Sequence, residues 1–535
     1  MTDRSVRVTP AAMPVMAPGL DPASLAAAEG LLTPLRDHLA AVDPAESAPY
    51  PPAVRFDPEL AGRARTWRRL ALPAPDDPPV PQPPSRDRIT CTPAADLAAL
   101  VRSADLSAAE VHAAFTGRIR EFDPQVNAYL TVVPRPAEMG DGPLAGVPVG
   151  LKDLIDTAGV RTTCGSRVFD SRTPERDAEV WRLLHVAGAV LLGKLNTHEF
   201  AAGVTAENEH YGPVRNPYDL TRMAGGSSGG AAAALAAGLA AVAVGTDTGG
   251  SIRIPAACCG VVGLKPTYGL VPADGVYPLA WSLDQAGPIT RTVRDAALVL
   301  DVLAGTRVEP AARAGARGEL ALIRVGVPEA WLAGAAESVL HGFRAALRAL
   351  EHGGAVVRAV ALPDADLLTA VNRVIAYAEG SAWHEPMLLA GAGYQAGVRP
   401  RMEAGRFILA GEYLTAQRLR AAACVRMAAL WRTVDIVVTP TLPVPAPTLG
   451  TTAIDRDGRP EPIGTALPRY TAPFSVTGLP ALTLPCGQDA DGLPIGVQLV
   501  APPREEARLC YVAAALEAAL PSLPEPMLSA GPGGP

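Results

Sequence analysis

The sequence predicts an α/β protein whose β-sheet is covered by helices on both faces. Segments with strand character alternate with segments of helical spacing along most of the chain, a pattern typical of this fold class. The chain has 535 residues, of which 48% are hydrophobic and 19% are charged. This balance supports a large buried core. No internal repeat interrupts the alternation.

The first 72 residues are predicted to form a helical N-terminal extension. Residues 21–42 have helical spacing, and the leucines expected on their apolar face are Leu25, Leu31, Leu32, Leu35 and Leu39. Residues 73–88 contain PAPDDPPVPQPPS, whose many prolines remove backbone donors and favour polyproline II. This second segment is therefore predicted to be a semi-rigid linker.

The main domain is predicted over residues 89–520, followed by a Pro/Gly-rich tail, 521–535, that is expected to be disordered. One helix begins at Ser107, which has Glu110 at capping-box spacing. The alanine-rich run before AVAVG is predicted to be a buried helix. The predicted strands include VPVGL, AVLLG, AVAVG, RVGVPEA, RTVDIVVTPTLP and GLPIGVQLVAP.

Composition argues against several classes of function. The net charge of −7 and the isoelectric point near 5.7 give no electrostatic reason to expect nucleic-acid binding. The seven cysteines form no CxxC pair, which favours reduced thiols and a cytoplasmic protein. No apolar run reaches the roughly 18 residues of a membrane span, so no membrane association is expected.

Metal and nucleotide sites are weakly supported. No two histidines have HxxxH spacing, and no histidine has a cysteine close by in the sequence, so neither a metal nor a cofactor is expected. GAVLLGKL at 188–195 approaches the phosphate-loop pattern GxxxxGK[ST]. However, Leu195 stands where a hydroxyl would hold magnesium.

Two Gly/Ser clusters, GGSSGG at 225–230 and GTDTGGS at 245–251, are the strongest candidates for catalysis. The first fits the nucleophile-elbow pattern GxSxG with Ser228 as nucleophile. The residues before it, NPYDLTRMA, are typical of a loop rather than of the strand that an elbow requires. An α/β-hydrolase is therefore the weaker interpretation.

A second interpretation uses both clusters and a lysine base. The amides of residues 248–251 could converge on one oxyanion, since glycines let the backbone approach closely. Lys152 follows the strand-like VPVGL in a mostly apolar context. Burial there would lower its pKa toward neutrality, as a lysine base requires.

Longer blocks of the chain resemble the amidase signature family. They are GVPVGLKDLIDTAG, AGAVLLGKLNTHEFAAG, AGGSSGGAAAALAAGLAAVAVGTDTGGSIRIPAACCGVVGLKPTYG, SLDQAGPITRTVRDAALVLDVLAG and GLPIGVQLVAP. The similarity spans residues 89 to about 519. It implies the family's fold, a large central mixed and twisted sheet covered by helices on both faces, here with a short helical N-terminal extension.

The resemblance also implies a Ser-cisSer-Lys triad. By motif position, Ser251 is the nucleophile, Ser227 is the bridging residue preceded by a cis peptide bond, and Lys152 is the base. The implied oxyanion hole consists of the amides of Thr248, Gly249, Gly250 and Ser251. One departure is Ala231, where many members have a serine, but this position lies outside the triad.

The main hypothesis for function is an amidase that cleaves a small carboxamide to a carboxylate and ammonia or an amine. The alternative is the glutaminase A subunit of a glutamyl-tRNA(Gln)/aspartyl-tRNA(Asn) amidotransferase. Those subunits resemble one another around an RFDGVRYG-like segment, which is missing from 393–421, and around an acid that is missing before Pro473. A catalytically inactive amidase-like scaffold is an alternative of another class, but the intact triad positions count against it.

The expected partner is a small-molecule amide. The further candidate partners are a second copy of this chain, in a homodimer, and a small helical partner subunit, because the N-terminal helix is slightly similar to such subunits. The preferred interpretation is a helix that packs on the enzyme's own surface.

Overall fold

A mixed β-sheet of eleven strands lies at the centre of the protein. The computed structural model describes residues 22–42, 57–58, 80–134 and 141–528. The strands in chain order are β1 Tyr129–Val132, β2 Pro148–Lys152, β3 Val190–Leu195, β4 Arg215–Asn216, β5 Asp219–Met223, β6 Val242–Asp247, β7 Val262–Lys265, β8 Gln285–Thr290, β9 Arg324–Val327, β10 Val356–Ala359, β11 Ile436–Pro440, β12 Ala453–Arg456, β13 Arg459–Pro462, β14 Ala481–Gln488 and β15 Pro494–Val500.

The strand order in the large sheet is β1-β3-β2-β6-β8-β7-β14-β15-β11-β9-β10, and β4–β5 and β12–β13 form two separate hairpins. Seven strands, namely β2, β3, β6, β7, β8, β11 and β15, are buried along their whole length. Strands buried on both faces are expected to have nearly continuous apolar sequences, which explains runs such as VPVGL and AVAVG. The predicted fold class is confirmed.

The helices flank this sheet. In chain order they are α1 Pro22–Ala40, α2 Ala94–Arg102, α3 Ala108–Val126, α4 Glu179–Val186, α5 Gly229–Ala236, α6 Arg253–Cys259, α7 Val293–Ala304, α8 Glu309–Gly315, α9 Glu337–His352, α10 Ala365–Leu389, α11 Arg399–Ala404, α12 Ala410–Leu430, α13 Ile463–Ala466, α14 Ala472–Val476 and α15 Glu506–Ala519. Short 3₁₀ segments cover Arg86–Cys91, Arg167–Phe169, Glu199–Ala201, Glu329–Leu332, Gly405–Phe407 and Leu467–Tyr470. None of the helices within the described ranges is long and apolar enough to cross a membrane.

Two neighbouring parallel strands position the functional residues. β2 pairs in parallel with β6, with Val149 opposite Val242 and Leu151 opposite Val244. Because parallel strands have their carboxyl ends at the same edge of a sheet, the residues that follow β2 and β6 meet there. Lys152 ends β2, and the cluster GTDTGGS runs through the end of β6.

The predicted N-terminal helix is present as α1 and packs against α10, α11 and α12. Leu32 and Leu35 are buried in this contact, while Leu25, Leu31 and Leu39 are partly buried against it. Arg36 also donates from Nε to Glu412 Oε1 at 2.7 Å. The helix therefore packs on the main domain, as the preferred interpretation expects. The remainder of the predicted extension, apart from residues 41–42 and 57–58, and the linker before residue 80 lie outside the described residues.

Both boundaries of the main domain differ from the expectation. A 3₁₀ segment, Arg86–Cys91, begins inside the predicted linker. In residues 521–528 the structure shows contacts where a disordered tail was expected: Glu525 pairs with Arg88 at 2.7 Å, and Tyr218 donates to the carbonyl of Pro524 at 3.1 Å. These contacts join the two ends of the domain. Residues 529–535 lie outside the described part.

Candidate active site

Lys152 is fully buried at the end of β2. Its Nζ lies 2.6 Å from Ser227 Oγ and 2.8 Å from Thr246 Oγ1. Burial lowers the pKa of Lys152 to about 7, while the carboxylates of Asp284 and Asp247 act in the opposite direction. A substantial fraction of this lysine is therefore neutral at neutral pH and can accept a proton.

Ser227 is held by its backbone as well as by Lys152. Its carbonyl accepts hydrogen bonds from the amide of His198 at 3.1 Å and from Thr197 Oγ1 at 2.8 Å. The Gly226–Ser227 peptide bond is cis, as the resemblance implied. Three residues later, a Cβ at Gly230 would lie 2.5 Å from the carbonyl oxygen of Asn196. Only glycine allows the start of α5 to come this close to the neighbouring chain.

Ser228 occupies a structural position. Its Oγ donates to the carbonyl of Thr246 at 3.2 Å and accepts from the amide of the same residue at 3.3 Å. The side chain is fully buried. Ser228 thus joins the start of α5 to β6, and the nucleophile-elbow interpretation of GxSxG has no support in this geometry.

Ser251 follows β6, and its backbone is joined to the first Gly/Ser cluster. The amide of Ser228 donates to the carbonyl of Ser251 at 3.2 Å, which brings the two clusters together. Ser251 is 7% exposed, whereas Lys152 and Ser227 are 0% exposed. Of the three predicted triad residues, Ser251 is thus the most exposed. In the described part of the chain, Ser251 Oγ has no hydrogen-bond partner.

The four amides predicted to bind the oxyanion differ in whether they already donate to an acceptor in the protein. The amide of Gly250 donates to Asp247 Oδ1 at 2.7 Å, so the prediction that it is aimed at an oxyanion is not supported. The reason is local: the side chain of Asp247, three residues earlier, closes a turn by accepting this amide. Across residues 22–42, 57–58, 80–134 and 141–528, no acceptor takes the amides of Thr248, Gly249 and Ser251.

A buried ion pair holds the second Gly/Ser cluster, GTDTGGS, in place. Arg253 donates to both carboxylate oxygens of Asp247 at 2.9 Å, and both side chains are fully buried. The guanidinium also donates to Gln498 Oε1 at 2.7 Å and to Ser475 Oγ at 2.7 Å. Burial acts to raise the pKa of Asp247, but Arg253 holds it below its ordinary value. The sequence interpretation missed this pair, although both residues lie in the motif GTDTGGSIR.

Two further contacts hold the loop that carries Ser251. Thr248 Oγ1 donates to Asp284 Oδ1 at 2.5 Å, and Asn372 Nδ2 on α10 donates to the carbonyl of Thr248 at 2.9 Å. A very small cavity of about 10 Å³ lies beside them, with Thr246, Tyr277 and Asp284 among its lining residues. The loop that carries Ser251 is thus fixed from the sheet and from α10. No group of three or more metal-binding side chains was found among the described residues.

Comparisons with known proteins identify the family of the chain. The family model described as Amidase matches residues 110–510. A curated relative is the A subunit of glutamyl-tRNA(Gln) amidotransferase from Moorella thermoacetica (strain ATCC 39073 / JCM 9320). It is 40% identical over 473 residues, covering 79% of this chain and 95% of the relative.

Solved structures extend the similarity to proteins with other names. An inhibitor-bound vestigial protein complex, described as revealing the evolutionary origins of an s-triazine catabolic enzyme, matches with a TM-score of 0.76 and 34% identity over 81% of this chain and 100% of that chain. A substrate complex of 6-aminohexanoate cyclic dimer hydrolase matches with a TM-score of 0.73 and 30% identity over 82% of this chain and 99% of that chain. Taken with the family match and the curated relative, these similarities show that the chain belongs to the amidase signature family.

Proposed function

We propose that the chain hydrolyses a C–N bond of a small carboxamide through an acyl-enzyme on Ser251. One observation carries this proposal: Lys152 Nζ lies 2.6 Å from Ser227 Oγ in a fully buried pair, and the amide of the next residue, Ser228, donates to the carbonyl of the more exposed Ser251. A lysine whose pKa is about 7 is matched to proton transfer near neutral pH. Burial of the pair also excludes the water that would otherwise compete for its protons.

The reaction begins with a proton relay. Neutral Lys152 takes the proton of Ser227, and Ser227 takes the proton of Ser251 as Ser251 Oγ attacks the amide carbonyl. The same relay returns a proton to the leaving nitrogen, because an amine must be protonated to depart. Water then attacks the acyl-enzyme, and the carboxylate product leaves.

The oxyanion of the tetrahedral intermediate needs donors that are already aligned. We assign this role to the amides of Thr248, Gly249 and Ser251, which donate to no acceptor in the described ranges. The amide of Gly250, the fourth donor expected from the sequence, would have to leave Asp247 before it could join them. Asp247 and Arg253 hold the loop, so no large rearrangement is needed during turnover.

The comparisons favour the alternative substrate over the main one. The curated relatives are named as A subunits of glutamyl-tRNA(Gln) amidotransferase, and this supports a glutaminase component of such an enzyme better than a stand-alone amidase. The missing acid before Pro473 remains an argument for the stand-alone amidase. Glutamine is therefore the first amide to test. A small helical partner, a homodimer and a cytoplasmic location are further proposals.

The first test measures whether Ser251 is a reactive nucleophile. A fluorophosphonate probe should label the wild-type protein and should not label Ser251→Ala, while Ser228→Ala should still be labelled. If the clean, folded wild-type protein is not labelled, the inactive scaffold is the better description. Ammonia release from glutamine, simple primary amides, anilides and ureas would then identify the substrate class.

A further inference from the structure

Asn372 on α10 contacts the loop of residues 247–251, which carries Ser251. Its Nδ2 donates to the carbonyl of Thr248 at 2.9 Å, and the residue is only 6% exposed, so the side chain is confined. A Cβ built on Gly249 would lie 2.8 Å from Asn372 Oδ1, so a side chain at this position would displace the carboxamide. Asn372 therefore lies directly against the Thr248–Gly249 peptide group.

This contact fixes the direction of the Gly249 amide. The Thr248–Gly249 peptide bond is trans, and in a planar trans peptide the C=O and the N–H point in opposite directions. Because Asn372 holds the carbonyl on the side of α10, the Gly249 N–H is directed away from that helix. Within residues 241–250 only Gly249 is partly exposed, while the others are buried. In the described ranges this amide donates to no acceptor, so it is available to a bound substrate.

The next peptide group of the loop has both of its polar groups engaged. Thr471 Oγ1 donates to the carbonyl of Gly249 at 2.7 Å. On the opposite side of the same peptide group, the amide of Gly250 donates to Asp247 Oδ1 at 2.7 Å. Here too, the bond that holds the carbonyl sets the direction of the following amide, but this amide is already taken.

The Gly250–Ser251 peptide group is held by the main chain. The carbonyl of Gly250 accepts from the amide of Ile254, in the first turn of α6, at 2.7 Å. The Ser251 amide on the other side donates to no acceptor in the described part of the chain. The bond that orients Ser251 thus forms locally with the helix, whereas the bond that orients Gly249 comes from a side chain 124 positions after Thr248.

We propose that Asn372 is a positioning residue that aligns the Gly249 amide with the oxyanion, and this inference rests on the proposed amide hydrolysis. Oxyanion donors are most effective when they are aligned before charge develops, because the reaction then needs no reorganisation. A peptide group next to glycine is otherwise easily turned, since glycine populates both signs of φ. The hydrogen bond to the Thr248 carbonyl removes this freedom, and α10 thereby contributes to catalysis together with the sheet.

The fluorophosphonate probe tests this role before any substrate is known, because a phosphonyl oxygen takes the place of the oxyanion when the probe reacts with Ser251. In the full chain, Asn372→Leu keeps the approximate size of the side chain but removes the donor. The second-order rate constant of labelling should fall about 10- to 100-fold, somewhat less than the loss for removing an oxyanion donor outright. The final extent of labelling should match the wild type, which a partly unfolded protein would not reach. Labelling at the wild-type rate would overturn the role.

Two further variants separate alignment of the amide from general loosening. Thr369→Val removes a buried hydrogen bond on the same helix, from Oγ1 to the carbonyl of Ala365 at 2.8 Å, and should leave the rate unchanged. Thr471→Val removes a donor to another carbonyl of the loop. Because the amide of that peptide group is engaged by Asp247, the fall should be smaller than in Asn372→Leu. Equal falls in Thr471→Val and Asn372→Leu would overturn the specific role of Asn372.

If Asn372→Leu does not fold, Asn372→Asp decides the question. It keeps the shape of the side chain, but its carboxylate cannot donate to the Thr248 carbonyl. Because the new charge would also favour the ammonium form of Lys152, the rates are compared at high pH, where labelling no longer depends on pH. Labelling should be at least about tenfold slower than in the wild type, and an equal rate would overturn the role.

Kinetics with an amide that ammonia release has shown to be cleaved give a second readout. Asn372→Leu should lower kcat by a similar factor, while KM should change at most about threefold, since the interaction is made only in the transition state. A loss mainly in KM would overturn the positioning role and leave the proposed function intact. If the wild-type protein is neither labelled nor cleaves any amide, the proposed function fails and the role of Asn372 fails with it.

Discussion

Charged groups of the catalytic centre differ from two arginines of the helical wall, formed by α10, α11 and α12, in the groups that they contact. In the catalytic centre, Asp247 faces Arg253, and Lys152 contacts two hydroxyls at hydrogen-bond distance. In the helical wall, Arg373 and Arg401 contact only neutral groups of the described residues. Groups that perform the same chemistry on every substrate must be aligned in advance by the protein.

Solved structures described for an s-triazine catabolic enzyme and for 6-aminohexanoate cyclic dimer hydrolase share the fold but are named for different compounds. Specific substitutions and a pH profile test the roles given to these groups.

The largest expected effect comes from removing the reacting groups. Ser251→Ala and Lys152→Ala should each lower kcat by about 10⁴-fold or more, the scale seen when members of a catalytic triad are removed. Steady-state ammonia release measures this, with circular dichroism as the control for folding. Near-wild-type turnover in Lys152→Ala would refute the relay.

A second large effect is expected in stability. Arg253→Met removes the partner of a fully buried carboxylate and should lower the free energy of unfolding by about 3–5 kcal/mol, because an unpaired buried charge remains. Urea denaturation measures the loss. The matched control is Arg344→Met, which breaks an exposed pair with Glu337 and should cost at most about 1 kcal/mol. Equal losses in the two variants would contradict the supporting role of Asp247.

The pH dependence should report Lys152. Only the neutral amine accepts a proton, so kcat/KM should fall about tenfold per pH unit below about 7 and level off above it. Asp284→Asn should move this limb to lower pH, because it removes the carboxylate that most favours the ammonium form. A shift toward higher pH would show that Asp284 acts in another way.

The smallest effect is expected at the other serine of the first cluster. Ser228→Ala removes hydrogen bonds to Thr246 and should lower the free energy of unfolding by about 1 kcal/mol. Turnover should stay within about tenfold of wild type, which thermal unfolding and ammonia release can check together. Loss of probe labelling in this variant would restore Ser228 as the nucleophile.

Much of the catalytic centre could be predicted because its signals are local. A short apolar run before Lys152 predicts a buried strand end, and the alanine-rich run between the clusters predicts the buried helix and strand that connect Ser227 to Ser251. The N-terminal helix and its apolar face could be predicted from the spacing of its leucines. The direction of the Gly250 amide could not, because it depends on a turn closed by a side chain three residues earlier.

The sequence by itself determined the α/β class, the family and the three residues assigned to catalysis, since each depends on contiguous motifs. Only the tertiary structure decided that Ser228 is structural, that Asp247 and Arg253 form a buried pair, and that Arg373 and Arg401 have no acid at ion-pair distance among the described residues. These facts depend on how strands and helices far apart in the chain pack together. Hydrophobic periodicity records which face of an element is buried, but not which charged side chain lies opposite it.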